Sequence, residues 1–227
     1  MEKVIKEIDN LMVRSKIITG KRRKEKIKLY SEGLKAKLSQ VQYTLSRLES
    51  FNSRTDETES TTAEDNYPVL AKVHFYCDTF WTFLYSSLDV LSQIVNQALK
   101  LELGEKDVSF GNVKGKLQGN NYKSLPVAQK YLQCFNSNCF SNLEKYRNCS
   151  IHRRQIFITE TITTQKATAG YSTAPQITTV IRVLCDDPLT VNAKTNQKRE
   201  IPKYMVETKE KIKKHIESIL AETQPVK

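Results

Sequence analysis

Apolar residues recur every three or four positions through the first half of the chain, which is the spacing of one face of an α-helix. The pattern predicts helices over residues 2–17 and 22–52, and a longer one over residues 66–103 that ends at Gly104. Because the third helix carries two apolar stripes, we expect it to lie at the centre of a helical bundle.

The third predicted helix also carries a narrow polar stripe. Its members are His74, Asp78, Tyr85, Asp89, Ser92 and Asn96. Two carboxylates on a buried seam need partners, and Arg or His elsewhere in the chain are the candidates. Trp81, Tyr85 and the phenylalanines of this helix are expected to fill the core rather than to form a base-stacking surface.

Beyond Gly104 the chain is rich in Gly and Lys as far as Ser124. Residues 111–119 have neither the glycine spacing nor the Ser or Thr of a phosphate-binding loop, so we exclude a nucleotide site of that type. The helical pattern resumes at Pro126 and continues to about Asn148, with a break near residues 136–138.

The period then changes from helical to alternating. Residues 155–164 and 176–185 alternate and are rich in β-branched side chains, with a small, turn-prone segment between them. This pattern predicts a β-hairpin over residues 155–186. A last helical pattern follows over residues 202–223.

The chain has 36 Lys and Arg against 25 Asp and Glu among its 227 residues, which gives a formal charge of +11. This excess favours an anionic partner, most commonly nucleic acid, although a basic and merely solvated surface is the other interpretation. Residues 55–65 form an acidic, Ser- and Thr-rich stretch that we expect to be a flexible loop. Lys21, Arg22 and Arg23 begin a helix, where the dipole disfavours positive charge, so they are candidate phosphate contacts or a solvated helix end.

The sequence has features of a cytoplasmic protein. It begins with alternating charges rather than a secretion signal, and no apolar run reaches the length of a membrane span. The five cysteines include no C-x-x-C pair, which is typical of reduced thiols. The spacing of Cys134, Cys139, Cys149 and His152 matches no standard zinc motif. We expect no metal, no cofactor and no membrane partner.

The densest polar cluster follows the helical region and comprises Arg147, Asn148, His152, Arg153 and Arg154. A guanidinium can bind the non-bridging oxygens of a phosphodiester and stabilise the extra charge of a pentavalent phosphorane. An imidazole can accept the proton of an RNA 2′-hydroxyl or protonate the leaving 5′-oxygen. A structural interpretation stays open, in which Arg147 pairs with a carboxylate such as Asp89 and His152 bonds a carbonyl at the helix end.

The run Arg147-Asn148, then three residues, then His152 follows an amphipathic helix and resembles the R-x4-6-H motif of the HEPN superfamily. In that family the residue after the arginine is frequently polar, as Asn148 is here. The third predicted helix also resembles the long HEPN helix that carries a polar residue facing the motif. The resemblance covers residues 66–154 and the last helix.

Resemblance to HEPN implies a mainly α-helical, up-and-down bundle, often a dimer whose two motifs face each other across a cleft. Many members are metal-independent endoribonucleases of toxin–antitoxin, abortive-infection and CRISPR effector systems. The implied roles are phosphate binding by Arg147, acid–base catalysis by His152, positioning by Asn148 and support from Asp89. The candidate RNA contacts are Arg153, Arg154, Lys21, Arg22 and Arg23. RNA, a second copy of the chain, and a cognate antitoxin or effector protein are the expected partners.

We therefore expect a single domain over residues 1–227. Its parts are basic N-terminal helices (1–54), an acidic loop (55–65), core helices with the motif (66–154), an inserted β-hairpin (155–186) and a final helix (202–223). The hairpin departs from the family pattern, in which the motif leads into a long final helix. A second class of function thus stays open, a non-catalytic helical module that binds RNA or a partner protein. A membrane-surface binder is disfavoured, since the basic segment 21–28 has no Trp or Phe.

Overall fold

The computed structural model describes residues 2–18, 20–52, 67–149, 158–167, 176–186 and 198–226. Its helices are α1 (Glu2–Arg14), α2 (Lys21–Asn52), α3 (Tyr67–Leu99), α4 (Phe110–Leu117), α5 (Pro126–Phe135), α6 (Asn138–Asn148) and α7 (Ile201–Glu222). Two short 3-10 turns, Ser15–Ile17 and Glu105–Asp107, lie after α1 and after α3. The described chain is mainly helical, as expected.

Most of the predicted helices are confirmed, with small differences in their ends. The helix expected over residues 22–52 is α2, the one expected over residues 202–223 is α7, and the break expected near residues 136–138 separates α5 from α6. The helix expected over residues 2–17 ends at Arg14 and continues as a 3-10 turn.

The prediction that α3 ends at Gly104 is wrong, because the helix stops at Leu99. Lys100 takes the left-handed conformation, with φ at 53°, and the N–H of Leu101 donates to the carbonyl of Asn96 at 3.1 Å. The Asn96 side chain then binds Leu103 twice, accepting from its N–H at 3.2 Å and donating to its carbonyl at 3.0 Å. The helix is thus closed by a Schellman-type turn that uses a lysine where glycine is usual.

Helix α4 was not predicted, because its glycines and lysines gave the segment the composition of a loop. Its first turn is capped by Ser109, whose hydroxyl accepts from the N–H of Asn112 at 3.2 Å. Phe110, Val113 and Leu117 lie on one face and are fully buried. Their spacing of three and four residues was the available signal in the sequence.

Three strands precede α7. They are β1 (Ile158–Ala167), β2 (Gln176–Asp186) and β3 (Lys198–Glu200). β1 and β2 are antiparallel, with Ile158 opposite Cys185, and β3 pairs antiparallel with β2. β1 includes residues 158–164 of the strand expected over residues 155–164 and continues to Ala167, and residues 155–157 lie outside the described residues. The acidic stretch 55–65 and the segment between β1 and β2 lie outside the described residues.

The chain divides into two compact units. The first comprises Met1–Val41, Thr82–Glu144 and Thr208–Lys227, and the second comprises Gln42–Trp81 and Lys145–Glu207. The core of the first unit contains a large aliphatic set of side chains. It includes Val4, Ile8 and Leu11 of α1, Ile27 and Leu34 of α2, Leu84, Leu88 and Leu91 of α3, and Ile212, Ile216 and Ile219 of α7. Each such side chain stabilises the fold by about 1.5–3 kcal/mol relative to an exposed one.

Two arginines of the first unit bind carbonyls at helix ends. Arg14 donates to the carbonyls of Leu220 at 2.7 Å and Ala221 at 3.2 Å, in the last turn of α7. Arg23 donates to the carbonyl of Gln97 from two nitrogens, at 3.1 and 2.9 Å, near the end of α3. The last carbonyls of a helix have no partner within it, so both arginines supply donors that the helices lack.

Three aromatic rings pack together in the core of the second unit. Trp81 of α3 stacks on Tyr146 of α6, with ring centroids 4.5 Å apart and planes at 23°. Tyr204 of α7 lies 5.3 Å from the Tyr146 ring and 6.0 Å from the Trp81 ring. These three rings join α3, α6 and the beginning of α7.

The expectation that the aromatic residues of α3 fill the core holds for Trp81 and Phe80, which are 1% and 0% exposed. It is wrong for Phe75, which is 63% exposed. Phe75 is two positions from the buried Val73 and Cys77, and this spacing turns it roughly 160° away from each around the helix.

Among the described residues, no helix combines the length and the apolar composition needed to cross a bilayer.

Replacing Lys100 by glycine should stabilise the protein, because glycine adopts a positive φ without the strain of a Cβ atom. We expect Lys100→Gly to raise the free energy of unfolding by about 0.5–1 kcal/mol in urea denaturation. Lys100→Ala is the control, since it removes the same side chain but keeps the strain. An equal rise in both variants would assign the effect to the lysine side chain instead of the backbone.

Candidate active site

Arg147 and Asn148 occupy the last two positions of α6. The guanidinium of Arg147 donates from Nη1 to the Oδ1 of Asn148 at 3.0 Å. Both side chains are half-buried. The contact fixes the orientation of the guanidinium relative to the helix end, where the macrodipole favours a positive charge.

Tyr146, which precedes Arg147 and Asn148, anchors the end of α6. Tyr146 is fully buried in the stack with Trp81 and Tyr204. Offset or tilted aromatic pairs contribute about 0.5–1.5 kcal/mol beyond the area that they bury. The stack of Tyr146 with Trp81 and Tyr204 therefore fixes the position of the backbone from which the Arg147 side chain extends.

The remaining motif residues, His152, Arg153 and Arg154, lie outside the described residues. The structure thus brings Arg147 and Asn148 together, and the acid–base role of His152 stays a prediction.

Asp89, the predicted supporting carboxylate, belongs to the first unit. Its Oδ1 accepts from the N–H of Phe110, the first residue of α4, at 3.0 Å. A carboxylate at this position both satisfies an N–H that has no partner within the helix and interacts favourably with the α4 dipole. The hydrogen bond from the Phe110 N–H therefore makes Asp89 a cap that stabilises the start of α4.

Ser92 and Tyr131 extend the polar contacts around Asp89. The two hydroxyl oxygens are 2.6 Å apart, and the Tyr131 hydroxyl donates to the carbonyl of Phe110 at 3.2 Å. Burial raises the pKa of Tyr131 well above its ordinary value, so its hydroxyl stays a neutral donor. This part of the polar stripe joins α3, α4 and α5.

The second unit contains two other members of the polar stripe, His74 and Asp78. They precede Trp81 on α3 by seven and three positions, so all three lie on one side of the helix. Asp78, rather than Asp89, is the stripe carboxylate in the same compact unit as Arg147. The helical spacing from Trp81 was visible in the sequence, but the packing of Trp81 on Tyr146 was not.

The basic cluster at the start of α2 separates into two kinds of residue. Lys21 and Arg22 are exposed, whereas Arg23 is half-buried and its guanidinium binds the carbonyls of Gln97, Ala98 and Val226. The described contacts of Arg23 are thus those of a helix cap.

Within the described ranges, no group of three or more His, Cys, Asp or Glu side chains has the arrangement of a metal site. Burial raises the pKa of the Cys134 thiol above its ordinary range, which keeps the thiol protonated.

A family model for Cthe2314-like HEPN proteins matches residues 30–220, which include most of α2, all of α3 to α6, and the Arg147–His152 motif. The chain belongs to this HEPN family. No curated protein and no solved structure matches it. The HEPN resemblance predicted from the motif is therefore confirmed.

Asp89→Ala should destabilise this HEPN protein by about 1 kcal/mol, because it removes the acceptor for the first N–H of α4. Asp89→Asn should have a smaller effect, since an amide oxygen still accepts that hydrogen bond. Urea denaturation measures both. If Asp89→Ala left the free energy of unfolding unchanged, the role of Asp89 in holding α4 would be wrong.

Stability should also depend on His74. Burial lowers the pKa of His74 below its ordinary value of 6.5, and the Asp78 carboxylate partly offsets this. The imidazole of His74 therefore binds a proton more readily in the unfolded chain than in the folded one. Its contribution to the free energy of unfolding is complete above pH 6.5 and is lost as the pH falls below that value. We expect the free energy of unfolding to fall as the pH is lowered from about 7.5 to about 5.5. The fall should be less steep in His74→Gln than in the unmodified protein.

His215 of α7 provides an independent comparison, because burial lowers its pKa as well. His215→Gln should flatten the pH dependence in the same direction. A slope as steep in both variants as in the unmodified protein would contradict the interpretation.

Proposed function

We propose that this HEPN protein is a metal-independent endoribonuclease. The observation that carries the proposal is the Arg147–Asn148 hydrogen bond of 3.0 Å, made within the R-N-x3-H motif of a chain that belongs to a HEPN family. A guanidinium held in a defined orientation is ready to bind two non-bridging oxygens of a phosphodiester in parallel.

In the proposed reaction the RNA supplies its own nucleophile. The 2′-hydroxyl attacks the adjacent phosphorus, its proton passes to a base, and the 5′-oxygen of the next nucleotide leaves with a proton. The products are a 2′,3′-cyclic phosphate and a 5′-hydroxyl end. Arg147 stabilises the charge of the phosphorane, His152 transfers a proton, and Asn148 positions Arg147.

Further residues support the scissile phosphate or bind the RNA in this proposal. Arg153, Arg154, Lys21 and Arg22 contact phosphates, and Asp78 is a candidate positioning carboxylate in addition to Asp89. The positive charge of the chain, +11, supports an RNA ligand because phosphate contacts dominate the affinity of such complexes.

We further propose that one HEPN domain comprises both compact units, with β1 and β2 as a hairpin inserted before α7. HEPN domains often dimerise, and a dimer with two facing motifs would place two copies of Arg147 at one cleft. A cytoplasmic role in defence or as a toxin, with a cognate antitoxin or effector protein, is consistent with the family. The alternative is a HEPN module that binds RNA or a protein without cleaving.

The test is cleavage of labelled RNA in the presence of a chelator. We expect cleavage to yield cyclic phosphate ends and to be absent when the 2′-hydroxyl at the scissile position is replaced by hydrogen. Arg147→Ala and His152→Ala should each lower the rate by about 100-fold or more, and Asn148→Ala by less.

Lys145→Ala is the matched control, because Lys145 is an exposed cation of α6 two positions before Arg147. It should retain nearly full activity. Cleavage that requires added Mg²⁺, or that survives His152→Ala, would overturn the proposal. Salt-sensitive RNA binding without any cleavage product would favour the non-catalytic alternative.

A further inference from the structure

The proposed cleavage requires two proton transfers. One proton leaves the attacking 2′-hydroxyl, and another reaches the departing 5′-oxygen. In an in-line displacement these two oxygens lie on opposite sides of the phosphorus, so one imidazole cannot serve both at the same time. The motif supplies a single imidazole, that of His152. The reaction therefore needs a second proton-transfer group.

The second unit contains another histidine, His74 of α3. The chain has three histidines, and the third, His215, belongs to the first unit. His74 is half-buried. Burial lowers the pKa of His74, which keeps the imidazole neutral and able to accept a proton near neutral pH. His74 thus has the protonation state of a base and belongs to the same unit as Arg147.

Ring contacts give the direction in which α3 and α6 run past each other. Tyr85 of α3 lies on Phe140 of α6, with ring centroids 6.0 Å apart. Trp81 of α3 lies on Tyr146 of α6, with ring centroids 4.5 Å apart. Because the lower residue number on α3 goes with the higher one on α6, the two helices are antiparallel where they pack.

This direction places His74 and Arg147 at the same end of the helix pair. Beyond the contact of Trp81 with Tyr146, α6 leads to Arg147. In the same direction α3 leads back to Asp78 and then to His74, about 4.5 and 10.5 Å from Trp81 along the helix axis. His74, Asp78 and Trp81 lie within about 60° of one another around α3. They therefore share the side of α3 that packs on α6.

We propose that His74 is the second proton-transfer residue, the base that accepts the proton of the 2′-hydroxyl. This inference rests on the proposed function and completes its reaction. His74 takes the proton as the 2′-oxygen bonds to the phosphorus held by Arg147, and His152 gives a proton to the 5′-oxygen as its bond to phosphorus breaks. Asp78, one helical turn from His74, stabilises the imidazolium that forms. Proton exchange with water then returns both histidines to their starting states.

The experiment compares two labelled RNA substrates in the presence of a chelator. The leaving atom at the scissile position is the ordinary 5′-oxygen in one and sulfur in the other. A thiolate is a much weaker base than an alkoxide, so sulfur leaves without a proton donor. On the oxygen substrate, His74→Gln and His152→Ala should each lower the rate about 100-fold or more. On the sulfur substrate, His152→Ala should recover nearly the unmodified rate, whereas His74→Gln should stay about 100-fold slower.

Three controls separate proton transfer from folding and from RNA binding. His215→Gln removes the other histidine whose pKa burial lowers, and it should keep the full rate on both substrates. A strand with a 2′-deoxy scissile position stays intact, and its affinity by fluorescence anisotropy should be the same for His74→Gln and the unmodified protein. Added imidazole should restore part of the rate of His74→Ala but none of that of Arg147→Ala, because a free base replaces only a lost base.

The outcomes distinguish this inference from the proposed function. If His74→Gln cleaved the oxygen substrate at the unmodified rate, the inference would be overturned while cleavage through His152 stood, and a second copy of the chain would become the source of the base. Recovery of His74→Gln on the sulfur substrate would also overturn it, because His74 would then be the acid. So would a loss of rate matched by a loss of affinity for the 2′-deoxy strand. If the unmodified protein bound RNA but cleaved neither substrate, the proposed function would fail and this inference with it.

Discussion

Tyr146 stacks on Trp81 with 4.5 Å between the ring centroids, and the position of the candidate site depends on this contact. The residue that follows Tyr146 is Arg147, and the one after that is its hydrogen-bond partner Asn148. The ring is fully buried two positions before α6 ends at Asn148, so it anchors the end of this helix. A helix end without such an anchor would fray, and the guanidinium would lose its orientation.

The polar stripe of α3 shows how one helix face serves two purposes. In the first unit Asp89, Ser92 and Asn96 bind α4, Tyr131 and the turn after α3, so these polar groups are satisfied by the fold. In the second unit the same stripe supplies His74 and Asp78. A buried polar group needs a partner wherever it lies, and neighbouring elements decide whether that partner is structural or a ligand.

Helix periodicity in the sequence predicted α2, α5, α6 and α7 closely, because amphipathic spacing reports burial on one face. The sequence prediction failed at the two places where a local hydrogen bond sets a helix end that the composition does not indicate. Lys100 closes α3 in a conformation that usually needs glycine, and Ser109 starts a helix in a segment rich in Gly and Lys. The motif Arg147-Asn148-x3-His152 was also visible in the sequence, and its family is confirmed.

The sequence by itself determined the helical class, the basic charge and the HEPN motif, since each depends on the identity and spacing of residues along one segment. Only the tertiary structure decided the tasks of individual polar and aromatic residues. Asp89 holds α4, Arg23 caps α3, Trp81 is buried and Phe75 is exposed. These differences arise from contacts between segments far apart in the chain, and the periodicity of a single helix does not contain them.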